Sequence, residues 1–337
     1  MSFITIDNIT SINAELTNYC NAACPMCIRY TIDGKLIENK VNSHHTTLNF
    51  LQAKFNDTFI KKLKYFNSCG NFGDGAMNPE CLQIYQWLRE LNPKIQLMLH
   101  TNGGARNPEF WQALADIDVH VVFAIDGLED TNHLYRRNVK WSKLIENVKS
   151  FIKAGGKASW EMLVFKHNES QIEKCREFSQ TLGFHSFNFK QSSRWSDFDH
   201  EGNWHEYNRI PVDDYFLEKS SQLTAPAMGS GGNSQKVNLI KNDFETKKIS
   251  CKSCDLKTDF VEIYLAANGD VSPCCWLGDL SLHESKNIIS DYKKVNLHHS
   301  TLEEILKSDF FNKLDQGING VGPSYRLHTC YATCGIN

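Results

Sequence analysis

The chain has 337 residues, of which 41% are hydrophobic and 22% are charged, and its formal net charge is −3. These values are typical of globular domains and exclude a disordered chain or a strongly basic, nucleic-acid-binding surface. No apolar run approaches the ~18 residues of a membrane span, and residues 1–7 lack the basic start and apolar core of a secretion signal. We therefore expect a cytoplasmic protein with no membrane partner and no general nucleic-acid binding, built from one large and one smaller domain.

The segments within the first 200 residues alternate between strand patterns and helix patterns. Strand patterns cover residues 11–16, 95–100, 119–125, 160–165 and 187–189, and helical apolar spacing covers residues 143–154 and 171–182. Strands that alternate with helices predict a parallel sheet, in either a closed or partial barrel or a doubly wound arrangement.

The composition changes after these elements. Residues 224–235 read TAPAMGSGGNSQ, which suits a flexible connection. Beyond them, apolar residues flank Asn268-Gly269-Asp270, which is a strong hairpin signal. A hydroxyl residue three positions before a glutamate within residues 300–306 predicts the start of a helix. We expect a first α/β domain at residues 1–223, a linker at 224–245 and a second domain at 246–337.

The twelve cysteines are concentrated near the two ends of the chain. Three lie within residues 20–27, and six lie between Cys251 and Cys334. Because cytosolic thiols stay reduced, a disulfide framework is a poor explanation for them. The distribution predicts metal binding at two places. Of the remaining cysteines, Cys81 and Cys175 are expected to be buried packing residues, and Cys69, before the glycine-rich turn, is expected to be a buried cysteine at a strand end, with a position facing the active site as the alternative.

The first group, Cys20, Cys24 and Cys27, has the spacing CxxxCxxC. Three thiolates on one loop can hold three irons of a cubane cluster, which leaves the fourth iron open. The group follows the first predicted strand, at the edge where α/β folds place their chemistry. The alternatives are a zinc site completed by His44 or His45, a cluster closed by a fourth cysteine, and ordinary packing cysteines.

This cysteine group resembles the signature of the radical S-adenosylmethionine (SAM) superfamily, although Met26 stands where that family often has an aromatic residue. Further segments match the family in order, namely residues 70–75 (GNFGDG), 101–103 (TNG) and 124–127 (AIDG), then His133 and Arg136 or Arg137. The resemblance covers residues 10–190 and implies a partial (β/α)6 TIM-like barrel that cleaves SAM to a 5′-deoxyadenosyl radical. It implies a [4Fe–4S] cluster with an open iron on Cys20, Cys24 and Cys27, and SAM binding by Gly73, Asp74, Gly75, Thr101, Asn102, Asp126 and Arg137.

The second group stands in three sets, CKSC at 251–254, PCC at 273–275 and CYATC at 330–334. Spacing alone suits a four-thiolate iron–sulfur cluster and a zinc site equally. The order of the sets, with the intervening hairpin and helix, resembles the twitch domain, a short relative of the SPASM domain. Both follow radical barrels and bind auxiliary [4Fe–4S] clusters. A CxxCxxxxxC segment typical of full SPASM domains is absent from this sequence, so the resemblance implies one auxiliary cluster. Its expected ligands are Cys274, Cys330 and Cys334, completed by Cys251 or Cys254, with Cys275 as a spare.

The sequence assigns no catalytic residue, and three hypotheses for function remain. The leading one is a radical SAM enzyme, oxidoreductase-like, that abstracts hydrogen from a peptide or protein side chain and receives electrons from a donor such as flavodoxin or ferredoxin. The second is a radical SAM dehydrogenase or related enzyme acting on a small molecule such as an amino sugar or nucleotide. The absence of an obvious N-terminal domain for recognising a leader peptide favours this second hypothesis. The third is a non-catalytic iron–sulfur or zinc protein. The aromatic segment 192–207 either lines the substrate site or covers the barrel mouth.

Overall fold

A mainly parallel sheet with helices on its outer face dominates the structure. The structure is a computed structural model. It describes residues 4–31, 35–37, 44–192, 194–198, 204–223, 248–251, 253–255, 259–278 and 284–335. The predicted linker at 224–245 lies outside the described residues.

Six strands pair in parallel, each with the next along the chain. They are β1 (Ser11–Ala14), β2 (Tyr65–Ser68), β3 (Gln96–Thr101), β4 (Val119–Ala124), β5 (Ala158–Val164) and β6 (Ser186–Gln191). The helices between them are α1 (Leu48–Lys54), α2 (Asp57–Lys62), α3 (Cys81–Leu91), α4 (Pro108–Asp116), α5 (Asn132–Tyr135), α6 (Trp141–Lys153) and α7 (Ile172–Leu182). Because parallel strands need crossover connections, this alternation forms the partial (β/α)6 barrel that the sequence predicts.

The outer face of the barrel strands is packed against aromatic and aliphatic side chains of the helices. Phe123 of β4 lies 5.3 Å from Trp111 of α4 and 5.9 Å from Phe151 of α6, measured between ring centroids. Leu144 and Val148, at helical spacing on α6, are fully buried with them. Burying one apolar stripe of each helix on the sheet leaves the opposite face of the strands for the barrel interior.

Two antiparallel hairpins follow β6. The first joins β7 (Ser196–Phe198) to β8 (Trp204–Glu206), and the second joins β9 (Arg209–Val212) to β10 (Tyr215–Glu218). In the second hairpin, the Tyr215 hydroxyl donates to the carbonyl of Leu134. Between β6 and the first hairpin, Arg194 donates to the carbonyl of Met26 at 2.8 Å. Part of the aromatic segment therefore contacts the cysteine loop.

The C-terminal part of the chain continues the same sheet. β11 (Cys254–Asp255), β12 (Phe260–Leu265) and β13 (Val271–Ser272) are joined by antiparallel pairing, and β12 also pairs in parallel with β1. The strand order is β11-β12-β1-β2-β3-β4-β5-β6, with β13 beside β12. The predicted hairpin at Asn268-Gly269-Asp270 is thus confirmed as the β12–β13 connection. The remaining α-helices of the described chain are α8 (Leu302–Leu306), α9 (Asp309–Ile318) and α10 (His328–Cys334).

The predicted elements agree with the structure to within a few residues. The helix expected near residue 300 begins after Thr301, whose hydroxyl and the Glu304 carboxylate form a capping box. Short 3₁₀ helices, which were not predicted, cover Gly75–Met77, Glu169–Gln171, Cys275–Leu277, Glu284–Asn287, Tyr292–Val295 and Pro323–Tyr325. Within the described ranges, no helix has the length and apolar character to cross a membrane.

Candidate functional site

The loop after β1 brings three thiols to the carboxyl edge of the sheet. Cys24 is buried, and Cys20 and Cys27 are half-buried. The amide of Cys27 donates to the carbonyl of Cys24 at 3.0 Å, and the amide of Ala23 donates to the carbonyl of Arg137 at 3.1 Å. Burial raises the pKa of Cys20 to about 12 and that of Cys24 to about 11. Because burial alone opposes the thiolate forms, a positively charged centre is needed to hold these sulfurs deprotonated.

Two nitrogen donors point at these sulfur atoms. The side-chain amide of Asn102 lies 3.6 Å from Cys20 Sγ, and Nη1 of Arg136 lies 3.7 Å from Cys24 Sγ. Hydrogen bonds to thiolate sulfur stabilise its negative charge and tune a bound cluster. Three thiols on one loop, two of them with donors aimed at their sulfurs, form a ligand set that fits an iron–sulfur cluster.

Asp74 connects two of the predicted SAM-binding segments, residues 70–75 and 101–103, through hydrogen bonds. Its buried carboxylate accepts hydrogen bonds from the Thr101 hydroxyl at 3.0 Å, and from the backbone and side-chain nitrogens of Asn102 at 2.8 and 2.7 Å. Its other oxygen accepts from the amide of Ala76 at 3.0 Å. The predicted residues Asp74, Thr101 and Asn102 therefore form one network that reaches Cys20. Both oxygens of the carboxylate are therefore engaged by the protein itself.

The turn needs glycine at two positions because of close approach. A Cβ at Gly73 would lie 1.9 Å from the carbonyl oxygen of Thr17, in the segment leading to the cysteines. A Cβ at Gly75 would lie 2.5 Å from the hydroxyl of Ser68 at the end of β2. The turn therefore packs directly against the segment before the cysteines and against the end of β2, and a side chain at either glycine would prevent this close approach.

The structure separates Arg136 from Arg137. Arg136 forms an ion pair at 2.5 Å with Asp126, whose side chain is fully buried. Asp126 also accepts from the amide of Leu163 at 2.6 Å. Arg137, the arginine expected to bind SAM, instead forms a surface ion pair with Asp213 of the β9–β10 hairpin. Of the two arginines, Arg136 is the one that links Asp126 to Cys24.

Glu15 was not predicted, although it occupies a central position beside the site. The side chain is 2% exposed, and it accepts hydrogen bonds from the amides of Asn71, Phe72 and Gly73 at 2.9, 3.1 and 2.8 Å. The hydroxyl of Tyr264 on β12 donates to it at 2.7 Å. Burial raises the pKa of Glu15 to about 7, although these hydrogen bonds oppose the shift. A lone carboxylate at the end of an alternating strand pattern was the available sequence signal.

The inner face of the sheet carries a second set of residues that sequence reasoning missed. Glu161 of β5 and Lys190 of β6 form an ion pair at 3.2 Å, with side chains 34% and 44% exposed. Burial lowers the pKa of the nearby His100 on β3, while the charge of Glu161 opposes that shift. Their strand neighbours, such as Trp160, pack outward against α7, so alternation directs these three inward. Partly exposed charged side chains on this inner face indicate that the lumen of the barrel is polar. Polar residues alternating with aromatics in β6, which reads SFNFKQ, were the available signal.

The cysteines of the C-terminal domain surround one cavity of about 220 Å³. Cys251 and Cys334 are hydrogen-bonded through their thiols, which raises the pKa of Cys251. Burial raises the pKa of Cys274 to about 11. The thiols on its wall are Cys251, Cys274, Cys275, Cys330 and Cys334. The side chain of Cys254, another expected ligand, lies outside the described residues.

The volume and the thiol lining of this cavity suit a multi-atom group. Among the residues that the structure describes, no three His, Cys, Asp or Glu side chains are gathered closely enough for a single metal ion. The cavity ringed by thiols is large enough for a cluster, whose irons each take one thiolate. Cys275, expected as a spare, belongs to this wall as well. Cys81 and Cys175, which were expected to be core residues, are fully buried. Cys69, which was also expected to be buried, is half-buried, because it lies just beyond the end of β2 and not within the core.

Comparisons with known proteins agree with this geometry. A family profile described as the radical SAM superfamily matches residues 14–179, and one described as an iron–sulfur cluster-binding domain, SPASM, matches residues 251–335. No curated protein matches the chain by sequence.

Solved structures resemble the chain in fold. Streptococcus suis SuiB matches with a TM-score of 0.58 at 14% identity, over 91% of this chain and 68% of SuiB. The anSMEcpe protein with bound AdoMet and Cp18Cys peptide matches with a TM-score of 0.52 at 13% identity, over 96% of this chain and 88% of that protein. SuiB bound to its precursor peptide SuiA also matches, with a TM-score of 0.58 at 13% identity, over 91% of this chain and 66% of SuiB.

Two family matches, a shared fold and two thiol-rich sites lead to the same assignment. A radical SAM domain binds a [4Fe–4S] cluster and SAM, and a SPASM domain binds auxiliary iron–sulfur clusters. The chain belongs to the radical SAM superfamily and carries a C-terminal SPASM domain.

Proposed function

We propose that this radical SAM enzyme modifies a side chain of a peptide or small protein within the polar lumen of its barrel. The observation that carries the proposal is the position of His100, Glu161 and Lys190 on the inner face of the strands. In barrels of this type, chemistry takes place at the carboxyl ends of the strands, where the cysteine loop lies. Solved relatives in fold, SuiB with precursor peptide SuiA and anSMEcpe with Cp18Cys peptide, support a peptide substrate.

We assign the cluster that cleaves SAM to Cys20, Cys24 and Cys27. When bound, it supplies the electron that converts SAM to methionine and a 5′-deoxyadenosyl radical, which abstracts hydrogen from the substrate. Asn102 and Arg136 hold two of the sulfurs through hydrogen bonds. The backbone of the turn at residues 70–75 is the proposed site for the amino group of SAM. Asp74, Thr101 and Asp126 fix the surrounding segments, and the role of Arg137 in SAM binding stays a prediction.

We assign one auxiliary [4Fe–4S] cluster to the cavity of the C-terminal domain. The match of residues 251–335 to an iron–sulfur cluster-binding domain, together with the thiols on the cavity wall, supports this assignment over zinc. Cys251, Cys274, Cys330 and Cys334 are the proposed ligands, with Cys254 and Cys275 as the alternatives. The external electron source would be a small redox protein such as flavodoxin or ferredoxin. The division into domains at residues 1–223 and 246–337, with the linker between them, is part of the same proposal.

Anaerobic reconstitution tests the cluster assignments. The wild-type protein should bind about eight irons and form 5′-deoxyadenosine from SAM after reduction with dithionite. A Cys274→Ala, Cys334→Ala variant should keep about four irons, and Cys24→Ala should form no 5′-deoxyadenosine. Tightly bound zinc with no SAM cleavage would instead support a non-catalytic metal protein.

The substrate is tested with two pools under the same conditions. A peptide pool should raise 5′-deoxyadenosine formation above the rate without substrate, and Lys190→Ala should reduce that stimulation by about tenfold. Lys174→Ala, on the exposed side of α7, is the matched control. Because a polar lumen also suits hydroxylated molecules, a pool of amino sugars and nucleosides tests the second candidate, a small-molecule dehydrogenase. Stimulation by that pool alone would replace the peptide proposal.

A further inference from the structure

The glycine-rich turn at residues 70–75 is held from two sides. On the side of the cysteine loop, the amide of Asp74 donates to the carbonyl of Tyr19 at 2.9 Å. On the side of the C-terminal domain, the side-chain amide of Asn71 donates to the carbonyl of Cys275 at 3.0 Å. The turn therefore lies between the two thiol-rich sites and contacts the backbone of both.

Glu15 connects these two sides through a single carboxylate. Three successive amides of the turn, those of Asn71, Phe72 and Gly73, donate to it, and so does the hydroxyl of Tyr264. Tyr264 belongs to β12 and is fully buried, so the C-terminal domain supplies the fourth donor from a fixed position. Successive amides converging on one anion form a backbone nest.

This arrangement fixes the direction of the turn's carbonyl groups. In a trans peptide unit, the carbonyl points opposite to the N–H of the next residue. Because the amides of Asn71, Phe72 and Gly73 point at Glu15, the carbonyls of Gly70, Asn71 and Phe72 point away from it. Carbonyl oxygens turned to one side are the groups that accept hydrogen bonds from an ammonium group.

We infer that Glu15 is a positioning residue, through which the C-terminal domain holds the turn in the shape that binds the amino group of SAM. The inference rests on the proposed function of the turn. In this way the SPASM domain would support SAM binding through the contact of Tyr264 with Glu15, independently of its iron–sulfur cluster.

Two variants test this role in the reconstituted protein. In Glu15→Gln, the amide group presents N–H to a site that holds only donors, so amide hydrogen exchange at residues 71–73 should be about tenfold faster without SAM. The dissociation constant for SAM should rise about tenfold, while the rate at saturating SAM changes much less. Tyr264→Phe removes only the donor from the C-terminal domain, so it should shift both quantities in the same direction by a smaller factor.

Tyr85→Phe is the matched control. Tyr85 is equally buried, and its hydroxyl donates to the carbonyl of Met98 at 2.8 Å, away from Glu15. It should leave exchange at residues 71–73 and SAM affinity unchanged. Unchanged SAM affinity in Glu15→Gln, beside normal wild-type binding, contradicts the inference alone. Failure of the wild-type protein to bind SAM refutes the proposed function, and the inference with it.

Discussion

Arg136 and Arg137 are adjacent in the chain but lie in different electrostatic environments. The Arg136 side chain is 17% exposed and pairs with a fully buried carboxylate, that of Asp126. The Arg137 side chain is 39% exposed and pairs with Asp213, whose side chain is 66% exposed. Removing one partner of a buried ion pair leaves an uncompensated charge, whereas exposed ion pairs contribute little because water screens them.

Replacing Arg136 should therefore destabilise the protein far more than replacing Arg137. We expect Arg136→Met to lower the free energy of unfolding by ~3–5 kcal/mol, and Arg137→Met by ~1 kcal/mol or less. Adding Asp126→Asn to Arg136→Met should recover part of the loss, because no buried charge then remains. Urea unfolding of the four proteins measures these differences, and equal losses for both arginines would contradict the burial argument.

At the scale of elements, Glu169 binds the residues that follow β10 and so holds the β9–β10 hairpin against the barrel. Its buried carboxylate accepts from the hydroxyls of Ser220 and Ser221 and from the amide of Ser221, each at 2.8 Å, and pairs with Lys166. Burial raises the pKa of Glu169, but these bonds outweigh burial and lower it from 4.5 to about 2. A carboxyl group with a lowered folded-state pKa stabilises the fold above its unfolded pKa, and that stabilisation is lost as pH falls toward the folded value.

The Glu169→Gln variant should reveal this dependence. Near pH 7 the variant should unfold at a lower urea concentration than the wild type. Its free energy of unfolding should be lower by roughly 1.5–3 kcal/mol, because charge-assisted hydrogen bonds are lost. The difference should shrink between about pH 4.5 and pH 2, where the wild-type carboxylate takes up its proton. Glu173→Gln, which alters an exposed pair with Arg176, serves as the control and should change little at any pH. A constant difference at every pH would show that the charge of Glu169 is not involved.

At the scale of the whole molecule, local patterns in the sequence predicted the individual strands and helices better than they predicted which distant strands pair with each other. Apolar spacing located β3, β5, α6 and α7, because each buries mainly one face, and a continuous apolar run located β4, which is buried on both faces. The parallel pairing of Ser11 with Glu262, from β1 to β12, was not predictable. It joins residues about 250 positions apart, and no local pattern carries that information. The same applies to Glu15, whose partners come from two distant segments.

This pairing makes the barrel and the C-terminal domain share one core. Ile263 of β12 is fully buried and belongs to the same apolar cluster as Leu97 and Leu99 of β3. Phe310 and Phe311 of α9 are buried in that cluster as well. Two parts of a chain that share a strand pairing and a core are expected to unfold together.

Ile263→Ala tests whether stability is shared in this way. The substitution should lower the free energy of unfolding by ~2–5 kcal/mol, because it removes buried methyl groups and leaves a cavity. Hydrogen exchange should then accelerate by a similar factor at the amides of Leu97 and Leu99, on β3, as at those of β12 itself. Val321→Ala, at a side chain that is 78% exposed, should leave exchange at both strands unchanged. Acceleration confined to β12 and its hairpin would mean that the C-terminal domain unfolds alone, and that the continuous sheet does not make the molecule a single cooperative unit.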